Sequence, residues 1–206
     1  MPILEELYQR YPALLICRKP IESTFVLLKT CFAQGGKVLL CGNGGSAADA
    51  EHIAGELMKG FLLPRPLNEN EKDTLNNIAE KDIFSKLQKT LPAISLCGQT
   101  ALATAIMNDI CGDMVFAQQV YGLGKKNDVL WGLSTSGNAE NVINAFHVAR
   151  FRKMKTILLT GQSGGKLLPL ADVAICVPSN FVTCIQEYHL PVYHALCAAL
   201  EQEFFL

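Results

Sequence analysis

Lys37-Val38-Leu39-Leu40-Cys41-Gly42-Asn43-Gly44-Gly45-Ser46 decides how this chain folds. Its first half is a short apolar run with a β-branched member, bounded by glycines. Such a run suits a strand buried on both faces, as parallel sheets require. Its second half is a glycine-rich turn that runs straight into a helical segment over about 47–60. Ser46 suits the N-cap of that helix. Four later apolar runs resemble the first: 93–97, 128–133, 156–160 and 173–177. Helical segments fall between and after them, at about 100–108, 113–122, 139–152 and 182–203. Val142, Ile143, Phe146 and Ala149 share one face of the 139–152 segment. Strands alternating with helices predict an α/β fold, a five-stranded, mainly parallel sheet flanked by helices on both faces.

Working outward, residues 1–35 read as helical, punctuated by Pro12 and Pro20 and stopped by Gly35-Gly36. Residues 61–92 break the pattern. Pro64 and Pro66 interrupt the chain, and Leu75, Ile78, Ile83 and Leu87 then recur at roughly helical spacing on a polar background. The expectation is one domain over 1–206, with 1–35 as an N-terminal helical segment and 61–92 as an inserted amphipathic excursion.

The chain has 206 residues, half of them hydrophobic and 18% charged, with a net charge of −1. That composition builds an ordered, well-buried core. It lacks the basic surplus of a nucleic-acid binder, so no nucleic-acid partner is expected. No window approaches the roughly 20 apolar residues of a membrane span, and Glu5 and Glu6 oppose a secretory leader. The eight cysteines are scattered, with no Cys-x-x-Cys pair. They read as reduced thiols of a cytoplasmic protein.

Two polar turns carry chemistry. In Gly42–Ser46, glycines let backbone N–H groups approach an anion at a helix N-terminus. The turn is neither a Walker A loop nor a dinucleotide fingerprint. Ser134-Thr135-Ser136-Gly137, after the third apolar run, offers three hydroxyls, more than capping needs. Ligands of open α/β sheets bind at the carboxyl ends of strands. Two such turns there argue for a phosphate-bearing ligand.

Two further segments offer metal-compatible groups. His52 and Glu56 lie four residues apart and share a helix face. Gln186 and His194 lie eight apart, about 80° around the helix. Histidine and carboxylate suit zinc or a similar divalent ion. Each pair also has a plain reading: a solvated i,i+4 pair for the first, a satisfied core histidine for His194. Asn108-Asp109 ends a helical segment, as a cap or as a contact to a substrate hydroxyl. His147 and His189 read as structural or surface groups.

Collected, these residues resemble the sugar isomerase (SIS) family, and within it the phosphoheptose isomerases. The resemblance covers about 36–60 and 92–203. It rests on Gly42-Asn43-Gly44-Gly45-Ser46, His52-x-x-x-Glu56, Leu133-Ser134-Thr135-Ser136-Gly137-Asn138, Leu159-Thr160-Gly161 and Ile185-Gln186-Glu187-x-His189 with His194. It implies a zinc site of His52, Glu56, Gln186 and His194. It implies Glu56 and His194 as the acid/base pair. It implies substrate contacts from Asn43, Gly44, Gly45, Ser46, Glu56, Asn108, Asp109, Ser134, Thr135, Ser136 and Gln186. The implied reaction is ketose–aldose isomerisation of a phosphosugar, sedoheptulose 7-phosphate to D-glycero-D-manno-heptose 7-phosphate, in a homotetramer. The alternative is a non-catalytic SIS module binding a sugar phosphate or a protein such as the replication initiator. Three departures stand out. Ala139 replaces an expected Ser, Thr183 an expected Asp, and the Leu57–Pro92 connection is several helical turns longer than expected.

Overall fold

A computed structural model describes residues 2–76 and 84–206. In chain order its elements are α1 (Pro2–Arg10), α2 (Arg18–Ala33), β1 (Val38–Cys41), α3 (Gly45–Met58), α4 (Glu69–Asn76), β2 (Ala93–Ser95), α5 (Thr100–Asp109), α6 (Val115–Leu123), β3 (Val129–Ser134), α7 (Glu140–Phe151), β4 (Lys155–Thr160), β5 (Val173–Cys176) and α8 (Val182–Phe205). The strands form one sheet in the order β2-β1-β3-β4-β5, and every neighbouring pair is parallel. The mainly parallel sheet expected from the sequence is wholly parallel in these five strands.

Strand periodicity sorts the core into two layers. Val38, Leu40, Val129, Trp131, Leu133, Ile157 and Leu159 face α1, α2, α3 and α8. Their alternating neighbours Leu39, Cys41, Leu130 and Leu158 face α5, α6 and α7. All six residues of β3 are buried, which explains why its sequence lacks polar alternation. Gly132 fits here because a Cβ would sit 2.4 Å from the Phe146 ring. The predicted face of α7 is the one that packs: Val142, Ile143, Phe146 and Ala149 are all buried.

The strand order fixes where a ligand can lie. From β1 the chain moves outward to β2, and from β3 it moves the other way to β4 and β5. The carboxyl ends of adjacent β1 and β3 therefore splay their loops apart, the crevice that ligands of such sheets occupy. Those two ends carry the Gly42–Ser46 and Ser134–Gly137 turns.

Two readings need correction or completion. Ser46 is not the N-cap of α3. Gly44 holds that position with φ +57°, and Ser46 is buried inside the first turn. Only glycine adopts that φ without strain, so it displaces the usual hydroxyl cap. The 61–92 excursion forms α4 and a 3-10 turn at Phe84–Lys86, while Ile78 and Ile83 of the expected stripe lie outside the described residues. Leu87 of that stripe is half exposed. The base of the excursion is cinched to the body: Leu91 N donates to Leu57 O at 2.9 Å and Lys89 N to Arg65 O at 2.7 Å.

Candidate active site

The glycine turn is shaped by close approaches. A Cβ on Gly42 would lie 2.6 Å from Ser46 O, so the turn cannot close around a larger residue. Asn43 and Asn141 exchange two side-chain amide hydrogen bonds, both 2.9 Å, tying this turn to the first turn of α7. Across the crevice, Ser134 is buried, Thr135 half-buried and Ser136 exposed. Gly137 has φ +66°, and a Cβ there would overlap Gly164 O. The hydroxyl turn is therefore fixed by backbone packing. Among the described residues, only the Ser136 hydroxyl of the three has a local use, accepting from Asn138 N at 3.2 Å.

α3 and α8 pack side by side, and this brings the distant pairs together. His52 Nε2 lies 3.0 Å from Glu56 Oε1, and His194 Nε2 lies 3.2 Å from the same oxygen. All three donor atoms fall within 4.8 Å of one another. Glu56 is only 4% exposed. Among the described residues, neither Glu56 oxygen nor His194 Nε2 makes a hydrogen bond of good geometry, although all three atoms are buried; the Cys197 thiol approaches the carboxyl only as a weak donor. Such close approach without hydrogen-bond geometry leaves costly orphan groups. A cation would satisfy them all at once. Two ligand atoms each about 2.0–2.1 Å from a tetrahedral zinc lie roughly 3.3 Å apart, and three protein donors with an open fourth position is the pattern of catalytic zinc. The residues fit such an ion.

Electrostatics at this cluster follow burial. Burial raises the Glu56 carboxyl above its ordinary value, while nearby His52 and the Cys197 thiol pull it back. Burial also lowers His194, with His52 and Arg10 adding to the effect. Both shifts favour the neutral forms. His189, one turn before Tyr193 on α8, is fully buried and pushed down to about 4 by burial, which agrees with a structural role.

Gln186 lies elsewhere on α8. A Cβ on Gly45 would meet its amide at 2.3 Å from Nε2 and 3.3 Å from Oε1, so the side chain lies over the glycine turn. Eight residues of helix rise separate it from His194 by about 12 Å along the axis. Asn108 and Asp109 are the last two residues of α5, both exposed. Asn108 Nδ2 donates to Asp109 Oδ1 at 2.7 Å, and among the described residues their side chains make no other hydrogen bond.

A curated phosphoheptose isomerase from Helicobacter pylori strain P12 is 43% identical over 183 residues, covering 89% of this chain and 83% of that protein. One from Nitratiruptor sp. is 44% identical over 168 residues, covering 82% of this chain and 78% of that protein. A profile of the SIS domain matches residues 17–90 and 81–161. The chain belongs to the phosphoheptose isomerase family of SIS-domain proteins. Solved phosphoheptose isomerases agree. That of Neisseria gonorrhoeae superposes with a TM-score of 0.75 at 36% identity, covering 96% of this chain and 94% of its own. That of Francisella tularensis gives 0.76 at 32%, covering 97% and 94%.

Within this phosphoheptose isomerase family member, four residues around the centre were not anticipated. Asp49 and Tyr193 bond to each other beside His52. Arg65 and Glu201, both fully buried, form an ion pair at 2.7 Å. Arg65 also donates to the Glu56 and Leu57 carbonyls at 3.0 and 2.7 Å in the last turn of α3, and the latter also accepts from Leu91 N. Glu201 accepts from the N–H groups of Phe61, Leu62 and Leu63 at 2.7–2.9 Å. The clamp keeps the Phe61 ring 5.7 Å from that of His194. No sequence spacing announces either arrangement, since each joins residues over 130 positions apart. Two of the three departures sit at helix starts: Ala139 is the N-cap of α7, and Thr183 is exposed on the first turn of α8.

Proposed function

We propose that this protein is an aldose–ketose isomerase that converts sedoheptulose 7-phosphate to D-glycero-D-manno-heptose 7-phosphate. The observation that carries this is the convergence of His52, Glu56 and His194, with buried Glu56 oxygens and His194 Nε2 left without hydrogen-bond partners among the described residues, beside two anion-suited turns in a chain of this family. His52, Glu56 and His194 would hold a divalent ion, zinc by the chemistry of the donors, and Gln186, over the glycine turn, would contact the substrate. When bound, the ion supplies charge stabilisation for the developing oxyanion. Glu56 takes a proton from C1 of the ketose, giving a cis-enediol, and returns it to C2 of the aldose. His194 carries the hydroxyl proton from O1 to O2, so that no proton is gained or lost overall. Asn43, Gly44, Gly45, Ser46, Ser134, Thr135 and Ser136 anchor the phosphate and hold the far end of the sugar in a reactive pose. A non-catalytic module would have no use for a carboxylate kept raised and unpartnered between two histidines.

The test is direct. Purified protein is expected to carry about one zinc per chain and to turn over sedoheptulose 7-phosphate. Chelation should abolish turnover and added zinc should restore it. Metal-free protein with full activity, or no turnover with metal present, would overturn the reading.

We also infer a homotetramer in which the exposed Asn108 and Asp109 reach a neighbouring subunit's sugar. α5 leaves Leu102, Met107 and nearby Ile110 46%, 50% and 59% exposed around that pair, an apolar surface suited to burial in an assembly. Light scattering should give about four times the 22.5 kDa chain mass. A monomer would exclude the shared site. Among the described residues no helix is long and apolar enough to cross a membrane. Eight free cysteines fit a reducing, cytoplasmic setting.

A further inference from the structure

His52 presents a problem that its own helix does not solve. Its side chain is about half exposed, yet its Nε2 faces Glu56 and His194. An exposed imidazole has two tautomers and free rotation, and only one arrangement aims a lone pair at the shared centre.

The answer lies on α8. Tyr193 is fully buried, and its hydroxyl donates to Asp49 Oδ1 at 3.2 Å. The same oxygen lies 3.1 Å from His52 Nδ1. A phenol has one proton. A carboxylate can only accept, so that proton goes to Asp49. The hydroxyl oxygen then has only lone pairs left to offer His52, and Nδ1 must carry the hydrogen that it accepts. With hydrogen on Nδ1, the lone pair is on Nε2, toward Glu56 and His194. The rings support the same pose: His52 is edge-on to Tyr193 at 5.5 Å and to His194 at 5.1 Å between centroids.

We propose that Asp49 and Tyr193 are positioning residues that lock His52 as its Nδ1–H tautomer, with the Nε2 lone pair aimed at the Glu56–His194 centre. The inference rests on the metal reading for its purpose, but the tautomer itself does not depend on a metal. Histidine ligands in metal sites are commonly oriented by a hydrogen bond at the second nitrogen. Here a tyrosine stands between the carboxylate and the imidazole. The hydroxyl lets a buried helix residue transmit the orientation of Asp49 to a ring on the protein's surface. Tyr193 immediately precedes His194, so one stretch of α8 supplies a donor and orients another.

The full chain, with its four histidines, is suited to long-range proton–nitrogen NMR, which reads imidazole tautomers. Metal-free wild type should show His52 with hydrogen on Nδ1. Tyr193→Phe should lose that preference and bind zinc roughly 10–100-fold more weakly in competition with a chelator. Asp49→Asn keeps an acceptor for the phenol, so it should retain the tautomer with a smaller loss of affinity. The double variant should be no worse than Tyr193→Phe alone, because both act through one bond. Circular dichroism of Tyr193→Phe should be unchanged. If His52 carries its hydrogen on Nε2 in wild type, or if Tyr193→Phe leaves both tautomer and affinity unaltered, the relay is wrong. If wild type shows the expected tautomer but takes up no zinc, the metal reading fails and the tautomer lock stands.

Discussion

Glu56→Gln should lower kcat for sedoheptulose 7-phosphate by roughly 10²–10⁴-fold, the usual contribution of a positioned general base. The substitution removes the proton acceptor and keeps the shape. Its direction on stability is opposite. Glu56 is a buried carboxylate whose oxygens find no hydrogen-bond geometry among the described residues. Burial disfavours its ionised form and pushes its pKa up. A neutral amide relieves that cost, so the melting temperature of metal-free Glu56→Gln should equal or exceed that of wild type. Loss of function with gain of stability marks a side chain held in an unfavourable state for its chemistry. KM should change little if the phosphate end dominates binding. Turnover within threefold of wild type would remove Glu56 from the general-base role, and a lower melting temperature would show that its burial is structural.

Much of this was legible in the chain, for a reason that differs from part to part. The sheet was readable because a strand buried on both faces must be apolar throughout, and Val38–Cys41 and Val129–Ser134 are both buried along their whole length. The places of the two turns were readable because glycines and hydroxyls directly follow apolar runs, and Gly42, Gly44 and Gly137 are held there by close approach or positive φ. The triad was readable in halves: His52 and Glu56 by their spacing of four, His194 by its spacing of eight from Gln186, and the full set by resemblance. What joins the halves is the packing of α3 on α8, which no spacing within one segment reveals. Ser46 misled because its residue type suits an N-cap, while the neighbouring Gly44, at φ +57°, took the position by backbone conformation. Asp49 and Tyr193 were invisible for a similar reason. Each is ordinary on its own helix, and only their meeting at His52 gives them a role. Arg65 sat in a stretch read as an excursion, where an arginine between prolines looks like a solvated loop residue.

That arginine leads to the largest stability effect. Glu201→Ala should destabilise the fold by about 3–5 kcal/mol, the usual consequence of stripping one partner from a buried pair. Arg65 would be left charged and fully buried, and the N–H groups of Phe61, Leu62 and Leu63 would lose their acceptor. Replacing both charges with apolar residues often recovers most of such a loss. Here it should not. The clamp also satisfies three backbone donors and the Glu56 carbonyl, which an apolar pair cannot serve. Arg65→Met with Glu201→Leu should therefore remain at least about 2 kcal/mol below wild type in urea unfolding at fixed protein concentration. Acid should reproduce part of the effect. Burial pushes Glu201 up, but the Phe61 and Leu62 N–H groups and the Arg65 guanidinium outweigh it and leave the carboxyl below its ordinary value. A lowered folded-state pKa contributes stability above the unfolded-state pKa and loses it as pH falls through the folded one. Wild type should thus weaken between pH 6 and pH 3 more steeply than Glu201→Gln. Equal slopes would show that Glu201 contributes no such linkage. A double variant as stable as wild type would reduce the clamp to an ordinary buried ion pair, with no hold on the end of α3 that carries Glu56.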